Sequence, residues 1–256
     1  MEMTAHNAKN MAARLRFGPE WPILKGDEHG APYSKTFDFP GSGATDFHAY
    51  LAHPPLGRSG VPFNIDLGID GYLQIGDARK IYELAFFTPG DVLELGTHYG
   101  LSASIIARAL HDRNRPGTLE TIDIDSETTA KAKLNLATLP GSERISFTVK
   151  DAPVRMDELI AEGRKYGYIF IDHWHGYKAT LDAASRVADL LADGGYVQFH
   201  DFLNPENIDP NHVYGVYQAV LDAICEDLRF SFAGLSGCTA VFKFTASNHD
   251  QSHKAA

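Results

Sequence analysis

The sequence predicts an α/β fold: a doubly wound, mostly parallel seven-stranded sheet with an antiparallel C-terminal hairpin and an irregular N-terminal extension. Three observations carry this. From Val92 onward short β-rich runs alternate with helical patterns, the signature of a parallel sheet with helices on both faces. The last two strand-like runs are separated only by a Leu-Ser-Gly-Cys stretch, too short for a crossover helix, so they must pair antiparallel. Residues 1–75 follow neither pattern.

The expected strands are Asp91–Leu95, Leu119–Asp125, Arg144–Val149, Tyr168–Asp172 and Tyr196–His200, then the hairpin strands Leu228–Ala233 and Thr239–Phe244. Between them, Leu101, Ile105, Ile106 and Leu110 recur at helical spacing, as do Leu181, Ala184, Val187, Ala188 and Leu191. A further helix carries Val213, Val216, Tyr217, Val220, Leu221 and Ile224 on one face. In the N-terminal part, Gly-Pro-Glu-Trp-Pro at 18–22, Phe-Asp-Phe-Pro-Gly at 37–41 and His-Pro-Pro at 53–55 break any long element. A short helix is expected around Asn7–Leu15 and another from about Asp77 to Phe86. The chain thus divides into an extension (1–75), read as a lid over a substrate or a contact to a second copy in a homo-oligomer, a main domain (76–245) and a frayed tail (246–256).

Composition narrows the partners. The 256 residues hold 33 acidic and 23 basic side chains, a formal charge of −10, and 44% are hydrophobic. A chain of this size buries roughly 70–75% of the surface it exposes when unfolded, so it builds a core without disulfides or metal staples. The acidic balance argues against nucleic acid or an anionic membrane surface and favours a small molecule. No apolar run approaches the ~18 residues that span a bilayer, and the polar start has no signal-peptide core, which points to the cytoplasm. Cys225 and Cys238 form neither a CxxC pair nor a disulfide framework and read as structural.

The chemistry concentrates at strand ends. Glu94-Leu-Gly-Thr-His-Tyr-Gly100 follows the first strand and opens a helix; glycines at 96 and 100 let the backbone turn sharply and approach a ligand. The spacing is GxxxG, not the GxGxxG of dinucleotide binders. Glu94 would repel a pyrophosphate but attract the ammonium of an amino-acid-like ligand, directly or through water. Asp123 ends the second strand, where a carboxylate accepts from a ribose diol, and Asp125 is the next same-face acid. Asp151 ends the third strand, in reach of an adenine amino group. Acids at strand ends also serve as turn formers and helix caps, so it is their succession that speaks for a ligand.

On these residues the sequence resembles the class I S-adenosylmethionine (SAM)-dependent methyltransferases, from about Tyr82 to Phe244. The resemblance implies their Rossmann-like fold. It also implies that Glu94, Gly96 and Gly100 hold the methionine part of SAM, that Asp123 holds the ribose, and that Asp151-Ala152 borders adenine. Thr97 and Ser102, in GTxxGxS, resemble one branch. Ile171-Asp-His-Trp-His-Gly-Tyr177 and Gly194-Gly-Tyr-Val-Gln-Phe-His-Asp201 are similar to the DxxHxY and GG…HD motifs of methyltransferase family 24, the macrocin O-methyltransferase-like and cephalosporin hydroxylase-like proteins that modify hydroxyls. Asp172-His-Trp also resembles catechol O-methyltransferase, where a catalytic base follows. The resemblance implies methyl transfer to a hydroxyl of a small metabolite.

Parallel neighbours place their carboxyl ends on one rim, so Asp172 and the pair His200-Asp201 should converge there. Two carboxylates and an imidazole suit a divalent cation such as Mg²⁺ or Mn²⁺. His175, three residues past Asp172, reaches the same place as a general base. Catechol-type enzymes carry Asp-Asn where Phe202 here follows Asp201, and related family members carry two acids where this chain has His200-Asp201. His200 is therefore either a ligand that shifts preference to softer metals or a metal-free base. Trp174 either stacks on adenine or packs. His173 bonds backbone, Tyr177 caps a helix or meets substrate, His98 lies on a surface loop, and His29, His48 and His53 face solvent, the alternative being that one of them enters the substrate pocket. An N-methyltransferase reads almost the same. A nicotinamide-dependent oxidoreductase is opposed by GxxxG with Glu94, and a silent SAM-binding scaffold by the intact Asp172, His175, His200 and Asp201 set.

Overall fold

A computed structural model describes residues 5–24, 30–40 and 44–246. Its elements are α1 (Ala5–Phe17), α2 (Asp46–Tyr50), α3 (Ile75–Phe87), β1 (Asp91–Leu95), α4 (Leu101–Asp112), β2 (Leu119–Asp123), α5 (Ser126–Leu136), β3 (Ile145–Val149), α6 (Ala152–Ala161), β4 (Tyr166–Ile171), α7 (Tyr177–Ala184), α8 (Val187–Leu190), β5 (Leu191–Phe199), α9 (Val216–Ala223), β6 (Phe230–Ser236) and β7 (Thr239–Phe244). The strands form one sheet in the order β3-β2-β1-β4-β5-β7-β6. β1 to β5 are parallel, and β7 runs antiparallel to both β5 and β6, as the short C-terminal link requires.

The central strand β4 is buried along its whole length, which an apolar run covered on both faces produces. Its side chains alternate between two core layers. Ile169 and Ile171 join α6 to α9 and Trp21, while Tyr168 and Phe170 join α3 and α4. α3 starts on a reciprocal cap between Gln74 and Asp77.

The element boundaries shift where side chains compete with the backbone. β2 stops at Asp123, because Asp125 caps α5 by accepting the Glu127 and Thr128 N–H groups at 2.7 and 3.1 Å. The single helix expected across Leu181–Leu191 is broken into α7 and α8. There the Ser185 hydroxyl and the Arg186 guanidinium donate to carbonyls of Leu181 and Asp182 one turn back, at 2.7 and 2.6 Å. Val213 is exposed and lies outside α9, and Leu228 lies before β6.

The extension is built into both layers. Trp21 is 1% exposed and meets Phe202 edge-on at 5.5 Å and Phe232 at 5.3 Å. On the other face Leu51, Ile65, Ile69 and Leu73 pack with α3 and α4. Glu83 of α3 accepts the N–H groups of Thr36 and Phe37 at 3.0 and 2.8 Å, and Ala31 bridges Gly237 in the β6–β7 turn. His48, expected to face solvent, is instead buried among Tyr33, Phe39 and Tyr82, and burial pushes its pKa down to about 4. His53 is exposed as expected. His29 and the tail expectation for 247–256 lie outside the described residues.

Candidate active site

Strand order reverses between β1 and β4, and ligands in open α/β sheets bind outside the carboxyl ends at such a switch point. A cleft of about 1140 Å³ opens there. Gly96 is what lets the two strand ends meet: its φ is +98°, and a Cβ would lie 2.1 Å from the Asp172 carbonyl oxygen. The Asp172 N–H in turn donates to the Leu95 carbonyl at 2.8 Å. Gly100, at φ +93°, makes room for Leu136 of α5 and does not line the cleft. The close approach at each glycine is therefore to protein, although Gly96 also faces the cleft.

Most of the predicted cofactor residues share this cleft. Gly96, Thr97, Ser102, Asp123, Asp151, Ala152 and Trp174 line it. Asp123 is held in place by accepting the His98 N–H at 2.7 Å and the Asp125 N–H at 2.9 Å. Asp151 both faces the cleft and caps α6, accepting from Val154 at 3.3 Å. Thr97 shares a 2.6 Å hydrogen bond with Thr121. Trp174 is 67% exposed on the wall, so it is not the buried packing residue of the alternative reading. Glu94 lies off the cleft, fully buried, accepting from the Thr121 hydroxyl at 2.5 Å. Burial pushes its carboxyl up to about 8, against the opposing pull of the Ser102 and Thr121 hydroxyls.

On the rim, Asp172, His175, His200 and Asp201 bring ligand-type atoms within 4.8 Å of one another. His200 Nδ1 stands 3.0 Å from Asp172 Oδ1 and 3.4 Å from Asp201 Oδ2. His175 Nε2 faces the same two oxygens at 3.3 and 3.1 Å. Burial alone would lower both imidazoles and raise both acids; the mutual charges win, raising His175 and His200 and lowering Asp172 and Asp201. Tyr214 stacks on the His175 ring, with centroids 4.8 Å apart and planes 22° apart. Asp201 itself has a left-handed backbone, φ +55°, a strained conformation of the kind found at functional sites.

His98 and His173 line the same cleft but stand outside the cluster of four. His98 is exposed, His173 is lowered by burial, and the Tyr177 hydroxyl donates to Asp222 at 2.8 Å; Tyr177 does not line the cleft. Three residues at the site escape the sequence reading: Tyr214, Asp77 and Cys238. Cys238, read as structural, lies beside the cluster, with its Sγ 3.3 Å from His200 Nε2 and 3.6 Å from Asp77 Oδ2. The one local signal is the Gln74–Asp77 spacing of a helix cap, which explains Asp77 without reference to the site.

A Rossmann-like sheet ending in an antiparallel hairpin, with an acid-lined cleft at its switch point, defines a class I methyltransferase fold. Residues 93–202 match the family model described as a methyltransferase domain. Over this stretch the chain is similar to the methyltransferase domains of that family. Solved structures with the same fold include an O-methyltransferase from Bacillus cereus in complex with S-adenosylhomocysteine (SAH), with TM-score 0.51, 19% identity, 60% of this chain and 74% of that one covered. The O-methyltransferase TomG from Streptomyces achromogenes, involved in tomaymycin synthesis and solved with SAM, gives 0.54, 18%, 68% and 81%. A protein from Corynebacterium glutamicum gives 0.53, 22%, 67% and 82%. No curated protein matches the sequence. Among the described residues no helix is long and apolar enough to cross a membrane.

Proposed function

We propose that the protein methylates a hydroxyl of a small molecule, with SAM as donor and His175 as the base. The observation that carries this is the convergence of Asp172, His175, His200 and Asp201 on the rim of the cleft that also holds Gly96 and Asp123. The reaction exchanges an S–CH₃ bond for an O–CH₃ bond and releases one proton. The methyl group is already activated on the sulfonium, so the chain has to align the acceptor and remove that proton. His175 Nε2 takes it, and Asp172 and Asp201, at 3.3 and 3.1 Å, hold the imidazolium formed. Asp123 receives the ribose, Asp151 and Ala152 border the adenine, and Trp174 offers its exposed face beside them. Gly96, Thr97 and Ser102 form the turn around the methionine part, with Glu94 and Gly100 supporting it from outside the cleft.

The rim also fits a divalent cation, Mg²⁺ or Mn²⁺, held by Asp172, His200 and Asp201. His200 Nδ1 is buried with carboxylate oxygens of Asp172 and Asp201 at 3.0 and 3.4 Å and no in-line hydrogen bond, so on giving up its proton it would join these two acids around a cation. Such a cation lowers the pKa of a bound hydroxyl. The extension supplies Val61, Phe63, Asn64, Tyr72 and Leu73 to the same cleft, and these give it an acceptor-facing wall.

A second reading makes His175 a fourth ligand, because its Nε2 faces the same two oxygens as His200 Nδ1. One set of variants separates the readings. Asp123→Ala abolishes SAM binding in calorimetry, whereas NAD binds neither variant nor wild type. His175→Ala keeps SAM binding near normal and lowers turnover by about 10²–10⁴-fold. Retained Mn²⁺ binding in His175→Ala assigns the residue to the proton; lost Mn²⁺ binding assigns it to the cation; unchanged turnover removes it from the chemistry.

A further inference from the structure

His200 has two faces, and the second one has no part in the proposal above. Its Nδ1 looks to the rim; its Nε2 looks inward to Cys238 Sγ at 3.3 Å, with Asp77 Oδ2 at 3.7 Å. Asp77 and Cys238 come from opposite ends of the domain, 161 residues apart, yet they are tightly joined. Asp77 Oδ1 accepts the Cys238 N–H at 2.8 Å and Oδ2 accepts the Gln74 N–H at 2.9 Å. The β6–β7 turn is wrapped so closely on this carboxylate that a Cβ on Gly237 would stand 2.2 Å from Asp77 Oδ1. Asp77 is completely buried, and Cys238 lines the cleft floor.

The polarity of these contacts turns on where the thiol hydrogen goes. A carboxylate only accepts, and a thiol has one hydrogen. The acids in reach of the Cys238 thiol are Asp77 at 3.6 Å and Asp201 at 3.9 Å. With the thiol donating to either acid, a sulfur lone pair faces His200 and Nε2 is the donor, with the Asp77 carboxylate 3.7 Å behind its proton. In the neutral ring the other nitrogen, Nδ1, is then bare and aimed at the space between Asp172 and Asp201. We propose that Asp77 and Cys238 are positioning residues, a buried relay that keeps the His200 proton on Nε2 and so presents Nδ1 to the rim as a cation ligand. This rests on the cation reading of the rim. Partners that orient a ligating imidazole from behind typically change metal affinity by about 10–100-fold when removed.

The test uses the full-length, ¹⁵N-labelled protein with and without Mg²⁺, reading the His200 ring protons by long-range ¹H–¹⁵N correlation, and Mn²⁺ alone as the affinity probe in an electron paramagnetic resonance titration. In the wild type Nε2 carries a proton in both states; a bare Nε2 overturns the proposal without any variant. Cys238→Ala weakens Mn²⁺ binding about 10–100-fold and lets the proton of the neutral ring move to Nδ1. Cys238→Ser, which keeps a donor and an acceptor in place, restores both readouts, which a role in packing alone does not predict. Asp77→Asn behaves as Cys238→Ala, and if it fails to fold the Cys238 pair decides. A Cys238→Ala protein with unchanged ring protons and unchanged Mn²⁺ affinity overturns the relay. A wild type that binds no Mn²⁺ removes the cation reading and this proposal with it, whereas unchanged Mn²⁺ affinity in Cys238→Ala beside a wild type that binds removes the relay alone.

Discussion

Glu94 is enclosed between Leu93 and Leu95 in the buried part of its strand, and this environment favours its protonated form. Its folded pKa of about 8 lies above the ordinary 4.5 because burial penalises the charged form. Between those values the folded state holds a proton that the unfolded state has lost, so stability falls as pH rises through that window. At 1.36 kcal/mol per unit the ceiling is about 5 kcal/mol. Urea denaturation at pH 5 and pH 8 should show this loss in the wild type and a flatter profile in Glu94→Gln. At the same scale, the rim residues were legible because each stands just after a recognisable hydrophobic strand. Asp172, His175, His200 and Asp201 needed only the rule that parallel strands end on one rim. Asp125 misled because its partners are its own next residues, Glu127 and Thr128. Asp77 and Cys238 were invisible as a pair, since nothing local reveals a contact across 161 positions.

Among the elements, the β1–α4 turn does the most to shape the site. Gly96→Ala places a methyl 2.1 Å from the Asp172 carbonyl in a left-handed backbone, so it should cost more than about 3 kcal/mol and displace Asp172. Gly163→Ala is the matched control: its φ is +68° but nothing lies within 4 Å, so it should cost only about 1–2 kcal/mol. Comparing their urea midpoints tests whether the close approach, and not the φ value, makes Gly96 necessary. The motif showed that glycines were needed here; it did not show that the neighbouring strand end was the reason. Helix and strand identities followed from periodicity, whereas the ends of β2, α7 and α9 did not. The side-chain to backbone bonds that end β2 and α7 use residue types that also occur inside regular elements.

The molecule as a whole depends on its least periodic part. Residues 5–24 and 44–73 complete both core layers, and the turn-rich sequence gave no pattern from which that packing followed. Trp21→Ala should cost about 3–5 kcal/mol, seen as a lowered Tm, because the indole fills a space among Phe17, Phe202, Phe232 and Phe242. Exposure also separates the two indoles. The chain has two tryptophans, Trp21 sealed in the core at 1% exposure and Trp174 at the mouth of the cleft at 67%. Their intrinsic fluorescence divides accordingly: a blue-edge emission from Trp21 that reports only whether the chain is folded, and a red-edge emission from Trp174 that collisional quenchers reach until the cleft is filled. A single unlabelled sample therefore carries separate optical signals for integrity and for occupancy.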